Sequence, residues 1–405
     1  MIPVSEALQI VLKETRPLGA ERVPLEESLG RVLAEDVLAD TDLPPFDRAQ
    51  MDGYAVRSED LQEAPARLKV VGEAAAGRGW RGSLGPREAV RIMTGAPMPS
   101  GADSVQQVEV TREDTEGAAV VIEKPTEPGQ FFVRRASEIR AGELVLAAGE
   151  EINAARTAAL ASFGCAEVAV GRRPRVGVLA TGTELVRVSE KPGPDQIRDS
   201  NTYSLAAYAR LAGAEVLALP FAGDEPELLA RTVSEAARRA DLLVLSGGVS
   251  MGRYDFTKAA LRALGAEIFF ERVALRPGKP TVFARLIDEA RPVLVFGLPG
   301  NPVSVSVTFN LFARAALRAM QGAREPALAE GHAVLARAAK GAAERTSYLP
   351  ASLKTDWEGR LVAEPLKWGG SSDFVAFARA TALVVVPAGE RPEAGAVVKV
   401  VRLPG

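Results

Sequence analysis

The 405 residues carry 49 Lys plus Arg against 52 Asp plus Glu, a net charge of −3, and 47% of them are apolar. That length holds about two to four domains, and the apolar fraction supplies each with a core. The lack of a basic tail or stripe excludes a nucleic-acid partner. No apolar run reaches membrane-spanning length and no signal peptide precedes the first helical pattern, so no membrane is expected and the expected setting is cytoplasmic. The single cysteine, Cys165, sits in an Ala/Val-rich run, which predicts a buried, inert thiol rather than a disulfide. The single histidine, His332, falls in a surface-like linker, which excludes histidine-based triad chemistry.

Val4, Ala7, Leu8, Val11 and Leu12 recur at the spacing of an amphipathic helix. Residues 26–38 carry a second helical pattern, interrupted at Gly30. Pro44 and Pro45 then enforce extended backbone, and Asp52-Gly53 is a turn ahead of a strand. Strand patterns follow at 68–71, 89–93, 104–108 and 118–122, separated by Gly and Pro turns, and predict a small β domain. The segment from Met93 to Pro99 is a loop, because two prolines in three residues cannot pair in a ladder. Past residue 130 the β pattern stops, and a helix runs from its cap Asn153 to Gly164. It is expected to pack beside the N-terminal helices, making the β domain an insertion in a helical one.

From Pro174 strands and helices alternate. Strands fall at 175–180, 216–220, 242–245, near 268–270, at 281–284 and at 293–296. Helices begin at Asn201, Pro226 and Asp255, and a long one follows Pro302 to about Gly322. Successive βα units predict a doubly wound parallel sheet. Strand patterns at 333–335, 348–353, 360–363, 382–386 and 396–401 then predict a small barrel or sandwich. The predicted domains are 1–45 with 131–172 (helical), 46–130 (β insertion), 173–322 (α/β) and 323–405 (β).

Three strand ends of the α/β domain place glycine near a carboxylate: Gly182 with Glu184, Gly223 with Asp224, and Gly247-Gly248 with Asp255. A fourth carries the cations Arg276 and Lys279, and a fifth, Pro299-Gly300-Asn301, precedes a helix. Such ends share one edge of a parallel sheet, where ligands bind, and glycine lets backbone N–H groups approach a phosphate. Carboxylates gathered there repel by about 1–4 kcal/mol per pair. A Mg²⁺ ion shared with substrate phosphates relieves that repulsion, while Arg276 and Lys279 answer further negative charge. Taken singly, each acid reads more readily as a helix cap or turn residue, but that is a poor explanation of all of them together. No GxxxxGK[ST] occurs, and the GxGxxG spacing at 77–82 (GRGWRG) falls between two strand patterns rather than opening a helix, so kinase and dehydrogenase readings lack their signatures.

The stretches TGTEL (181–185), DSN (199–201), SGGVSMGRYD (246–255), PGKP (277–280) and LPGNP (298–302) resemble the molybdopterin-binding domain. PPFD (44–47), MDGYA (51–55) and MTGAP (93–97) resemble the amino-terminal half of the molybdopterin molybdotransferases, relatives of the carboxy-terminal part of gephyrin. The resemblance spans nearly the whole chain. It implies a multidomain α/β fold: a central molybdopterin-binding domain, a helical domain with an inserted β domain, and a C-terminal β barrel. It implies insertion of molybdenum from molybdate into adenylylated molybdopterin, with Mg²⁺-dependent release of AMP. On the matching motifs, Asp52, Thr94, Asp255 and Lys279 are the implied catalytic residues. Gly182, Glu184, Asp224, Ser246, Gly247, Gly248, Arg276, Pro299, Gly300 and Asn301 would bind substrate, and Glu184, Asp224 and Asp255 would hold Mg²⁺. The resemblance further implies a homodimer whose site is shared between subunits, with Asp52 and Thr94 coming from the partner. A molybdopterin adenylyltransferase would act upstream and apo-molybdoenzymes downstream. Four departures stand out: Arg276 replaces a common Lys, Ala49 a common Ser, and Gln106-Gln107 an apolar pair, which suggests a more exposed strand; the segment from Arg134 to Ile139 is one residue short and lacks the family Asp, with Glu138 a weak substitute. Two rival readings are a molybdopterin adenylyltransferase, which shares the α/β domain but would not need residues 1–172 or 321–405, and a gephyrin-like dimeric scaffold, which needs no intact edge of acids and lysine.

Overall fold

The apolar stripe of the first helix, α1 (Val4–Glu14), buries Ala7 and Val11 completely. The computed structural model describes residues 1–404 except 115–116, 218, 220–224, 249–255 and 289–290. The chain divides into two units, Met1–Glu35 with Ala148–Thr157 and Glu167–Gly405, and Asp36–Ala147 with Ala158–Ala166. Ala7 and Val11 join the α/β core of the first unit, against Phe312, Leu317 and Met320.

Residues 26–38 do not form the expected helix. A 3-10 turn, Leu25–Glu27, ends at Ser28, and Gly30 turns the chain with φ 75°. Leu33 N–H then donates to Glu150 O at 2.9 Å and Ala34 N–H to Ala169 O at 3.0 Å. The backbone thus pairs with distant segments, which outweighs a weak helical period.

The second unit is built on a six-stranded sheet of β1 (Gly53–Val56), β2 (Ala66–Ala74), β3 (Glu88–Ile92), β4 (Ser104–Gln107), β5 (Thr111–Glu113) and β6 (Ala119–Ile122), in the order β4-β1-β3-β2-β6-β5. Its central strands bury both faces: Ala55, Val90 and Ile92 on one, Tyr54, Leu68 and Val120 on the other. Gln106 is 3% exposed, not more exposed as expected. Its amide donates to Lys124 O and Pro125 O at 3.0 and 3.1 Å, and these bonds meet the cost of burial. Helix α2 (Ala154–Ser162) follows, with Asn153 Oδ1 accepting Arg156 N–H at 2.9 Å as its cap. Cys165 is only partly buried, a correction to the expected buried thiol.

The α/β region contains β7 (Arg175–Ala180), α3 (Asn201–Leu211), β8 (Glu215–Leu217), α4 (Pro226–Ala237), β9 (Leu242–Ser246), α5 (Phe256–Ala263), β10 (Glu267–Phe270), β11 (Val282–Asp288), β12 (Arg291–Leu298) and α6 (Pro302–Thr308). A π-helical segment, Phe309–Ala313, joins α6 to α7 (Arg314–Met320). The sheet order is β8-β7-β9-β12-β11-β10. One apolar layer lies under α1, α3, α6 and α7, the other under α4 and α5, so the sheet is doubly wound. The first four strands are parallel, but β11 runs against its neighbours. Only residues 289–290 separate it from β12, and a parallel crossover needs a dozen or more.

The C-terminal strands β13 (Glu330–Leu335), β14 (Thr346–Thr355), β15 (Leu361–Pro365), β16 (Ala382–Val386) and β17 (Val397–Arg402) close into a five-stranded barrel, because β14 pairs with both β15 and β16. Closure leaves no free edge in the ring. His332 is exposed on β13 rather than in a linker. A short helix, α8 (Phe374–Phe377), precedes β16. Among the described residues no helix is long and apolar enough to cross a membrane.

Candidate active site

The carboxyl ends of β7, β9 and β12 open into a cleft of about 1260 Å³. It gathers Gly182, Glu184, Ser246, Gly247, Gly248, Pro299, Gly300 and Asn301, eight of the residues expected at the site. β9 is buried at every residue, as its apolar run requires, and it ends where the glycines begin. Gly247 has φ 98°, and a Cβ there would lie 2.5 Å from Thr181 O, so only glycine fits. Gly248 has φ 63° and is tied to α5, its carbonyl accepting Thr257 N–H at 3.2 Å. These turns expose backbone at a strand end, a geometry suited to phosphate.

Asn201 clasps three of the loops. Its Nδ2 donates to Ser246 Oγ at 2.9 Å and to Gly300 O at 2.7 Å. Asp199 is buried and caps α3, accepting Thr202 N–H at 3.0 Å. Asn301 stands at the start of α6, with Pro302 at the first helical position. Its Nδ2 donates to Ser371 Oγ at 2.8 Å, so a loop of the barrel region reaches the same cleft. Ser372 and Phe374 of that loop line it as well.

Glu184 is exposed at the cleft, and a Cβ on Gly182 would meet its carboxylate at 2.6 Å. Pro280 lines the cleft, while Arg276 and Lys279 precede it on the same loop. Leu275–Arg276 pairs with Thr346–Ser347 at the start of β14, which fixes the loop against the barrel. Neither Arg276 nor Lys279 is among the residues that line the cleft, and among the described residues neither has an ion-pair partner. Asp224 and Asp255 lie outside the described residues. Among those described, no three His, Cys, Asp or Glu side chains converge as a metal cluster. The single carboxylate of Glu184 still fits Mg²⁺, which takes one or two carboxylates and completes its shell with phosphate and water.

Asp52 and Thr94 belong to the second unit. Thr94 N–H and Oγ each donate to Asp52 Oδ1 at 2.7 Å. The backbone N–H first, then the hydroxyl, holds the Asp52 carboxyl below the usual range. Ala49 is 2% exposed among apolar neighbours, so a methyl suits it. Glu138 pairs with Arg48 at 3.4 Å on the surface, and Arg135 holds Asp42 through Nε at 2.5 Å.

Sequence reasoning had Asn201 as a helix start and as the end of the DSN stretch but not as a clasp, and it missed Ser372 and Phe374, which follow the glycine-serine run from Gly369 to Ser372. Thr181 was legible only as the first residue of the TGTEL stretch; its buried Oγ1 has no hydrogen-bond partner among the described residues.

Comparison with known families matches residues 2–164 to the MoeA N-terminal region (domains I and II). Residues 177–319 match a probable molybdopterin-binding domain and residues 332–403 the MoeA C-terminal region (domain IV). The chain is 38% identical to a molybdopterin molybdenumtransferase of Bacillus subtilis over 406 aligned residues, covering 98% of this chain and 93% of the relative. It is 42% identical to one from Nostoc over 306 aligned residues, covering 75% and 70%. Two crystal structures of molybdopterin biosynthesis MoeA protein from Pyrococcus horikoshii cover 100% of both chains, at 34% identity with TM-score 0.80 and at 27% with TM-score 0.85.

Proposed function

The chain belongs to the molybdopterin molybdenumtransferase family and inserts molybdenum in molybdenum cofactor biosynthesis, and on that premise we propose how its cleft does so. The substrate is adenylylated molybdopterin, seated at the strand ends with its pyrophosphate against the Gly182 and Gly247-Gly248 turns and the start of α6. Molybdate is the second substrate. The observation that carries this reading is the set of glycine turns at three strand ends that line one cleft, which Pro280 of the loop carrying Arg276 and Lys279 lines as well.

Lys279 and Arg276 hold anionic oxygens of molybdate, the guanidinium in a planar fork and the ammonium as a point charge. Glu184, with Asp224 and Asp255, would hold Mg²⁺, which supplies charge neutralisation at the pyrophosphate. Ser246 and Asn301 orient the nucleotide. Water attacks the phosphoanhydride, releasing AMP and leaving the phosphate on molybdopterin. The two dithiolene thiols displace one molybdate oxygen as water, taking up its place on molybdenum without change of oxidation state. Asp52 and Thr94 come from the second unit of a partner copy, so the working species is a cytoplasmic homodimer. It receives its substrate from a molybdopterin adenylyltransferase and delivers cofactor to apo-molybdoenzymes.

Two variants test the assignment. Glu184→Gln and Lys279→Ala each lose at least about 10²-fold in molybdenum insertion while melting as wild type, the cost of removing one preorganised charge. Mixing Asp52→Asn with Lys279→Ala subunits restores part of the activity, because one composite site in each heterodimer is intact. Full activity in the single variants, or no restoration despite demonstrated subunit exchange, contradicts the assignment.

A further inference from the structure

Phe374 exposes 52% of its surface, although phenylalanine is among the side chains most often buried. It does so at the cleft, which it lines together with Ser372. The loop that carries it is fixed from several sides. Asp373 accepts Gly369 N–H at 2.8 Å and Ala376 N–H at 3.1 Å. Ser371 accepts Asn301 Nδ2 on its hydroxyl at 2.8 Å and Val303 N–H on its carbonyl at 3.0 Å. Three residues on, Phe377 is buried in the core and anchors the helix. The backbone that carries the ring is thus held in place before any ligand arrives, so little ordering entropy of the loop is lost on binding.

An exposed aromatic face on a fixed backbone at the edge of a cleft matches a planar heteroaromatic ring, since every such ring offers a π-face whatever its polar edge. We propose that Phe374 is a stacking platform for a ring of the substrate, and that the C-terminal barrel region thereby sets ring specificity at the cleft. This rests on the nucleotide reading of the cleft. Two rings of the substrate share the chemistry, the purine of the adenylyl group and the pterin, and the test separates them.

Binding of AMP, neopterin and ribose 5-phosphate is measured by calorimetry on the full-length protein and on Phe374→Ala, Phe374→Leu and Phe374→Trp. Stacking predicts that Phe374→Ala and Phe374→Leu weaken one ring ligand by about 10-fold or more while ribose 5-phosphate binds as before. Phe374→Trp retains that affinity, and its indole fluorescence is quenched by the same ligand. Loss for AMP assigns the purine, and loss for neopterin assigns the pterin. The exposed ring leaves the melting temperature of all three variants unchanged. Wild-type binding of AMP and neopterin with no effect of Phe374→Ala overturns the stacking role alone. Failure of the wild type to bind either ring ligand overturns the nucleotide reading of the cleft with it.

Discussion

Removing the Asn201 side chain tests how the cleft is held open. Its Nδ2 makes two hydrogen bonds, to Ser246 Oγ at 2.9 Å and to Gly300 O at 2.7 Å, and these link the start of α3 with the ends of β9 and β12. Each bond contributes about 1 kcal/mol net. The buried Oδ1 has no partner among the described residues, and its removal returns part of that. Asn201→Ala therefore costs about 1–2 kcal/mol. For a domain of this size that lowers the transition of the α/β region by roughly 2–8 °C. Loops displaced by about 1 Å lower insertion activity by up to about 10²-fold. Asn201→Asp keeps the shape but sets a carboxylate against the Gly300 carbonyl, so it is at least as damaging as alanine. Differential scanning calorimetry and AMP titration of the two variants read both effects. Wild-type melting and wild-type AMP affinity in Asn201→Ala would refute the clasp.

Gly247→Ala forces φ 98° on a residue with a Cβ, 2.5 Å from Thr181 O, and is expected to abolish AMP binding while shifting the melting transition down; unchanged titration would contradict the phosphate turn. Burial, then the charge of Asp40, pushes the Cys165 thiol up, so iodoacetamide at pH 8 alkylates it more slowly than free cysteine, and an equal or faster rate would contradict that environment. Asp42 and Asp52 have folded-state pKa values below the unfolded value, Asp42 through Ala141 N–H and then Arg135, Asp52 through Thr94. Their contribution is intact above about pH 4 and is lost as pH falls through the depressed values. Limited proteolysis should therefore show the loops of the second unit opening only below about pH 4, and cleavage already at pH 5 would count against these bonds.

The elements legible in the sequence were those whose period matched their burial. β9 read as a buried strand because Leu242 to Leu245 are apolar and all four are inside. α1 read as a helix because its stripe is covered by the α/β core. Residues 26–38 misled because helical spacing is cheap to produce, while the pairing of Leu33 and Ala34 with residues far along the chain leaves no local trace. The direction of β11 and the closure of the barrel are likewise set by pairings distant in sequence. Gln106 looked exposed by residue type, yet two carbonyl acceptors bury it. At the cleft, the glycine turns were legible because φ demands glycine there. Asn201 and Phe374 were not, since their importance depends on loops brought together from β9, β12 and the barrel region.

The most direct measurement is AMP release from adenylylated molybdopterin by the purified protein with Mg²⁺, with and without molybdate. The account predicts release that depends on molybdate, in step with molybdenum bound to the product, and lost in Lys279→Ala. Release at the same rate without molybdate, or tight nucleotide binding with no release in its presence, would contradict it.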